Sequence, residues 1–232
     1  MRFSRKQRKA TMSKKMMLLA LAVVSAAAFA LPAGASAQEI HLTNVSSFSG
    51  TFDTSTLTAQ EEPVVTCGET SPTNAPNHVT GTVSAGGTTG NITLDFTACH
   101  LGIPIIGTIP CHTTGAPLNN TIKLSGVFHL ITFSAKPAIL VTPVAFTIEC
   151  GNLTPINVAG NVIGTITSPA CGVASNNMTI KFSATGATQE DKTYTGVNYN
   201  LTFQTGTGMV REAGLALEST TTSPSAGTLE CT

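Results

Sequence analysis

The chain has 232 residues, of which only 10% are Asp, Glu, Lys or Arg, with 12 acidic and 12 basic side chains in formal balance. That balance hides a split: seven basic residues precede residue 38 and every acidic one follows it, so residues 38–232 carry five basic side chains and a net charge of −7. An acidic chain without a basic cluster excludes the electrostatic footprint of a nucleic-acid binder or of a protein held to anionic lipid.

Residues 1–37 read as a secretory leader. Arg2, Arg5, Lys6, Arg8, Lys9, Lys14 and Lys15 precede the apolar run MMLLALAVVSAAAFAL, and Ala35-Ser36-Ala37 offers small residues for cleavage before Gln38. Met12 is an alternative start with the same exit. Pro32 and Gly34 close the apolar run, which favours a cleaved leader over a membrane span. No cysteine stands at the cleavage point to take a lipid, and no later stretch approaches a transmembrane length. The expected organisation is a signal peptide over 1–37 and a single β-sandwich domain over 38–232, with no transmembrane anchor in the mature chain and a secreted or surface-associated location.

From Gln38 the chain is Thr-rich and punctuated by Gly, Pro and Asn. Two strands are expected around EIHLTNVSSF and GTFDTSTLTA, joined at Gly50, and a short third one runs to Cys67. A polar loop with Pro72 and Pro76 follows. HVTGTVSA and NITLDFTA form a hairpin across residues 86–90, with Ile92, Leu94, Phe96 and Ala98 on one face and Thr93, Asp95, Thr97 and Cys99 on the other. Between Cys99 and Cys111 lies HLGIPIIGTIP, the most apolar loop of the mature chain, where Pro104 and Pro110 argue against a central strand.

Residues 121–135 read as a long strand with a bulge or bend at Gly126, and AILVTPVAFTIEC as a strand interrupted at Pro143. In VAFTIEC, Val144, Phe146, Ile148 and Cys150 share a face, and NNMTIKF repeats the alternation with Met178, Ile180 and Phe182. INVAGNVIGTIT between them is β-branched and broken by Gly160 and Gly164. TYTGVNYNLTFQ, GMVREAGLALES and TLEC complete the β pattern. No amphipathic helix remains. The fold class expected is all-β, an antiparallel sandwich of two sheets built from about a dozen short strands and stapled by disulfides.

The six cysteines, Cys67, Cys99, Cys111, Cys150, Cys171 and Cys231, all follow the leader, so three disulfides are the simplest reading of an exported chain. Their number alone allows 15 connectivities.

The stretches ITLDFTACHLGIPIIGTIPCHTTG, VAFTIECG and VAGNVIGTITSPACGVASNNMTIKF resemble uncharacterised exported, cysteine-containing all-β proteins of high-GC Gram-positive bacteria. The likeness spans Val64 to Gly186, with Cys99, Cys111 and Cys150 as its clearest markers. It implies export and a β fold and no chemistry. Relatives without counterparts of Cys171 and Cys231 imply that these two pair with each other, leaving Cys67 for Cys150 once Cys99 and Cys111 close their loop. Sequence proximity argues instead for Cys150–Cys171, because loop closure costs more as separation grows. Cys99–Cys111 is favoured on both arguments.

Cys99-His100 and Cys111-His112 would supply zinc- or copper-type ligands, but neighbours on a strand point to opposite faces and exported thiols oxidise. No metal or other cofactor is therefore expected. The motifs of serine hydrolases and zinc proteases are absent. His129 reads as structural, and the adjacent Glu190-Asp191 as a solvated turn. A carbohydrate platform would have to rest on Tyr194 and Tyr199, since the chain has no Trp. Asn44, Asn91, Asn119, Asn152, Asn177 and Asn200 head N-x-S/T triplets, expected here to be chance products of a Thr-rich chain. A Lys–Asn crosslink would need Lys123 or Lys181 buried beside a carboxylate such as Glu149, whereas alternation places all three away from the apolar face, in reach of cross-strand ion pairing.

What remains is the apolar loop, whose Ile103, Pro104, Ile105, Ile106 and Ile109 either fold over an end of the sandwich or meet a partner. The function expected is that of a non-enzymatic secreted or cell-surface structural or interaction protein with an extracellular partner and no nucleic acid. The alternative is a module that binds a small apolar ligand or lipid between its sheets, and a hydrolase stands third.

Overall fold

β-Branched alternation and frequent turn residues produce strands throughout the computed structural model, which describes residues 39–68, 76–116 and 120–232. The leader expected over 1–37 and the middle of the Pro-rich loop lie outside the described residues. Within them there is no helix. The first half supplies β1 (Ile40–Thr43), β2 (Ser47–Phe52), β3 (Ser55–Ala59), β4 (Val65–Cys67), β5 (Asn77–Val83), β6 (Thr89–Phe96), β7 (His100–Ile103) and β8 (Gly107–Thr113). Four strands follow in β9 (Ile122–Phe133), β10 (Lys136–Cys150), β11 (Ile156–Ser168) and β12 (Ala174–Phe182). Two small hairpins, β13 (Ala184–Thr185) with β14 (Thr188–Gln189) and β15 (Thr193–Tyr194) with β16 (Val197–Asn198), precede β17 (Leu201–Thr205) and β18 (Arg211–Cys231).

The all-β, antiparallel, disulfide-stapled class is what the structure shows. Side chains of β3, β4, β17 and β18 meet those of β6, β9 and β10 across one core. These facing layers are hydrogen-bonded into a single sheet of 14 strands, and the strands outnumber the dozen expected. The reason is length. β10, β11 and β18 are 15, 13 and 21 residues long, and each changes partners along its course.

The last half of β10 with the first halves of β11 and β18 closes one circuit, β10–β11–β17–β18–β3–β4–β7–β8 and back to β10. Their other halves close a second, β18–β2–β5–β6–β9–β10–β11–β12 and back to β18. Closing a sheet in this way removes the exposed edges that invite aggregation.

Several sequence expectations shift for identifiable reasons. Gly50 is not a joint between strands but the centre of β2, where an added Cβ would overlap the Thr220 carbonyl oxygen on β18. The breaks fall instead at Asn44, with φ 62°, and around Asp53-Thr54. Gly126 makes no bulge, since β9 pairs in unbroken register with β6; the bulge lies opposite, between Val141 and Val144 of β10, and β10 runs on through Pro143. Cys99 leaves the polar face because Ala98, at φ 52°, adds a left-handed step that reverses the alternation, and Cys99 is buried.

The main core draws on both circuits, with Phe128, Phe203, Leu94, Leu124, Ile148 and Leu229 among its most enclosed side chains. A smaller cluster forms on the outer face of β9–β11. There Tyr199 and the partly buried Tyr194 pack on Ile131, Ala138, Leu140 and Ile163, their rings 6.2 Å apart. This is why residues 138–141 of β10 are buried without alternation: both faces of the strand are covered.

Candidate functional site

The cysteines set the frame. Cys67 pairs with Cys99, Cys111 with Cys150, and Cys171 with Cys231. The expected Cys99–Cys111 link is therefore not formed, nor are Cys67–Cys150 or Cys150–Cys171, while Cys171–Cys231 is.

Hydrogen-bond phase explains the exchange of partners. The Cys111 N–H donates to the Cys99 carbonyl at 2.9 Å, while the Cys99 N–H donates to the Asn120 carbonyl, so the hydrogen-bonding side of Cys111 faces Cys99, the side on which antiparallel partners stand further apart. On its other side Cys111 faces Cys150 in a narrow pair, with Cα atoms 4.1 Å apart. Likewise the Gly102 N–H donates to Val64, which by alternation puts Cys67 and Cys99 in a narrow pair, 4.0 Å between Cα atoms. The two bonds form a buried row across β4, β7, β8 and β10. All six cysteines lie in disulfides, so the Cys-His pairs offer no free thiolate.

The apolar loop between Cys99 and Cys111 is a hairpin of β7 and β8, contrary to the expectation from its prolines. Pro110 opposes His100, one residue before β8 begins to pair with β10 at Cys111, so its missing N–H faces no strand. Ile103 and Ile109 pack against the main core. Pro104 is exposed, and Ile105 and Ile106 stand out at 107% and 72% relative exposure. Ile105 also has φ 76°, a conformation that β-branched residues rarely adopt.

Three further turns lie at the same end of the first circuit, because its neighbouring strands are antiparallel and in register. The β10–β11 turn exposes Leu153, the β17–β18 turn Met209 and Val210, and the β3–β4 turn Val64. They touch one another: the Gly206 N–H donates to the Pro155 carbonyl at 2.9 Å, and a Cβ on Gly151 would lie 2.9 Å from Ile109 Cγ2. Arg211 Nη1 donates to the Gln60 carbonyl at 2.9 Å and to Glu61 at 2.6 Å, and Nε lies 3.8 Å from Glu62. The Glu61 hydrogen bond raises the Arg211 pKa above its ordinary value, so this guanidinium is committed to its neighbours. Sequence reading missed Val64, Leu153, Met209 and Val210. The signal available was an aliphatic residue inside an otherwise polar turn, without anything to say that the turns share an end.

The polar clusters are poorer in chemistry. Glu149 accepts from Thr114 Oγ1 at 2.9 Å and lies 3.4 Å from His112 Nε2. The hydroxyl thus donates to the carboxylate and not to the imidazole. Lys123 and Lys181 stand directly across from Asp95 and Glu218, each pair at 3.9 Å, and both lysines are solvent-exposed. Tyr194 and Tyr199 cover the outer cluster, and burial, then the neighbouring Tyr199, raises the Tyr194 pKa. Asp191 is raised by burial and by Glu190, against a smaller opposing effect of Lys136.

In the apolar core, the void lined by Leu57, Val65, Phe96, Leu124, Ile148 and Leu201 holds about 20 Å³, room for one water. An open surface concavity of about 630 Å³ lies at the other end, between the β1–β2 and β5–β6 turns, lined by His41, Thr43, Asn44, Ser46 and Ser84 among others. Among the described residues no helix is long and apolar enough to cross a membrane, and no cluster of three or more His, Cys, Asp or Glu side chains has metal-binding geometry. No family model, curated protein or solved structure matches the chain.

Proposed function

We propose that the protein is exported and acts without catalysis, as a rigid β scaffold that makes contacts outside the cell. Three disulfides fit an oxidising compartment, and the leader read in residues 1–37 supplies the route there.

One observation carries the contact reading: Ile105 and Ile106 are held in solvent at the tip of a hairpin whose base is locked by two buried disulfides. Two adjacent, strongly exposed isoleucines on a rigid support are costly in water unless something covers them. The void of about 20 Å³ between the facing layers is too small for an apolar molecule, which argues against the alternative of a ligand carried there.

The test is adsorption of labelled protein to whole cells and envelope fragments of the organism that makes it. Saturable adsorption is expected, lost on Ile105→Ser with Ile106→Ser and kept on Val173→Ser, which alters an exposed valine elsewhere. Adsorption indifferent to the isoleucines would sink the assignment of contact to this hairpin.

A further inference from the structure

We infer that the four turns at this end of the first circuit, carrying Val64, Ile105, Ile106, Leu153, Met209 and Val210, form one lipid-docking face that dips into the surface of an electrically neutral bilayer. The inference rests on the contact reading above and names its partner.

The shape points to a fluid partner. Six of the nine exposed large hydrophobic residues among those described are gathered on these four turns. Met209 and Val210, at 75% and 61% exposure, match the two isoleucines in standing clear of the fold. They are carried on four different turns, so a protein partner would have to match all four at once, while acyl chains close around each side chain independently.

Composition points the same way. Protein hot spots favour Trp, Tyr and Arg over small aliphatics. None of the six is aromatic, and the one Arg at this end is already bonded to Gln60 and Glu61. Insertion scales with the apolar area each side chain removes from water, and side chains of this type are its main currency. Charge then selects the bilayer. The stretch 38–232 carries −7, which repels an anionic surface and also a second copy of the chain. Without Trp at the face the docking is shallow and reversible.

The experiment is flotation of the purified, oxidised mature protein with vesicles of phosphatidylcholine, and with the same vesicles containing phosphatidylglycerol, at low and high salt. Wild type is expected to float with the neutral vesicles. The anionic ones should take less of it at low salt and regain it at high salt. Ile105→Ser with Ile106→Ser should lower the partition coefficient about tenfold or more, and Leu153→Ser and Met209→Ser with Val210→Ser should each lower it further.

Val173→Ser with Val197→Ser, changed away from the four turns, should leave it unchanged. All these sites are exposed, and a melting temperature no lower than that of the wild type confirms that each variant is folded. No flotation, with cell adsorption still lost in the isoleucine variant, would overturn the lipid assignment and leave the contact reading standing with a protein partner. Concentration-dependent dimers abolished by the same variant would overturn it in favour of self-association. Absence of both flotation and adsorption would overturn the two together.

Discussion

Cys111 is hydrogen-bonded to Cys99 through the backbone, at 2.9 Å, and is covalently joined to neither that residue nor anything else on β7. Its sulfur goes to Cys150 on the opposite side of β8. Adjacent strands thus share one row of cysteines, and ladder phase selects which neighbours bond.

Peptide mapping without reductant should therefore recover Cys67–Cys99, Cys111–Cys150 and Cys171–Cys231, and a Cys99–Cys111 peptide would refute the structure at this point. Access also orders the bonds: Cys171 is exposed while the other two pairs are buried, so graded reductant with alkylation should open Cys171–Cys231 first. Replacing Cys111 and Cys150 together by Ala should cost about 2–5 kcal/mol in urea unfolding.

Gly50→Ala should be among the most damaging small substitutions. Its new methyl group would overlap the Thr220 carbonyl where β2 crosses β18, and this pairing is a link in the second circuit. A loss of about 1–3 kcal/mol is expected for such overpacking, and thermal unfolding reads it directly. An unchanged melting temperature would mean that β2 and β18 do not approach this closely.

Ile105 sits at φ 76° with its side chain in solvent, so its identity opposes stability twice. Ile105→Asn should raise stability by about 1 kcal/mol, because Asn tolerates the left-handed region. The same change should weaken surface contact. A substitution that improves the fold and impairs the contact would mark the residue as kept for binding; a destabilised variant would contradict the strain.

Asp191 provides a pH signature. Burial and Glu190 raise its folded-state pKa above the usual 3.8, so the folded chain binds the proton more tightly than the unfolded one. Its contribution is fully favourable below 3.8 and is lost as pH rises through the folded-state value. Asp191→Asn should then be more stable than wild type at neutral pH, with the difference vanishing under acid. A difference that instead widens as pH falls would reverse the assigned sign.

Much of the fold was legible locally. The hairpin of β5 and β6 and the alternating faces of β6 and of the end of β12 follow from period-2 patterning and turn chemistry. The hairpin of β7 and β8 was not, because Pro110 forbids only a donor on one side and the sequence does not say that this side is empty. Ala98 misled for a similar reason, since an alanine carries no mark of a left-handed step.

The candidate site divides in the same way. Ile103, Pro104, Ile105, Ile106 and Ile109 announced themselves as an apolar run, yet only packing decided that Ile103 and Ile109 turn inward while Ile105 and Ile106 face water. Leu153, Met209 and Val210 looked like isolated aliphatics in unrelated turns. They become neighbours because β10, β11, β17 and β18 are hydrogen-bonded in order at one end of a closed circuit.

By itself, then, the sequence determined the all-β class, the even set of cysteines and the apolar loop between two of them, all properties of composition and short-range periodicity. The disulfide partners, the closed circuits and the gathering of four turns into one face were decided only by tertiary structure. Each depends on register between strands far apart in the chain, and a slip of one residue in register would turn every side chain to the other face.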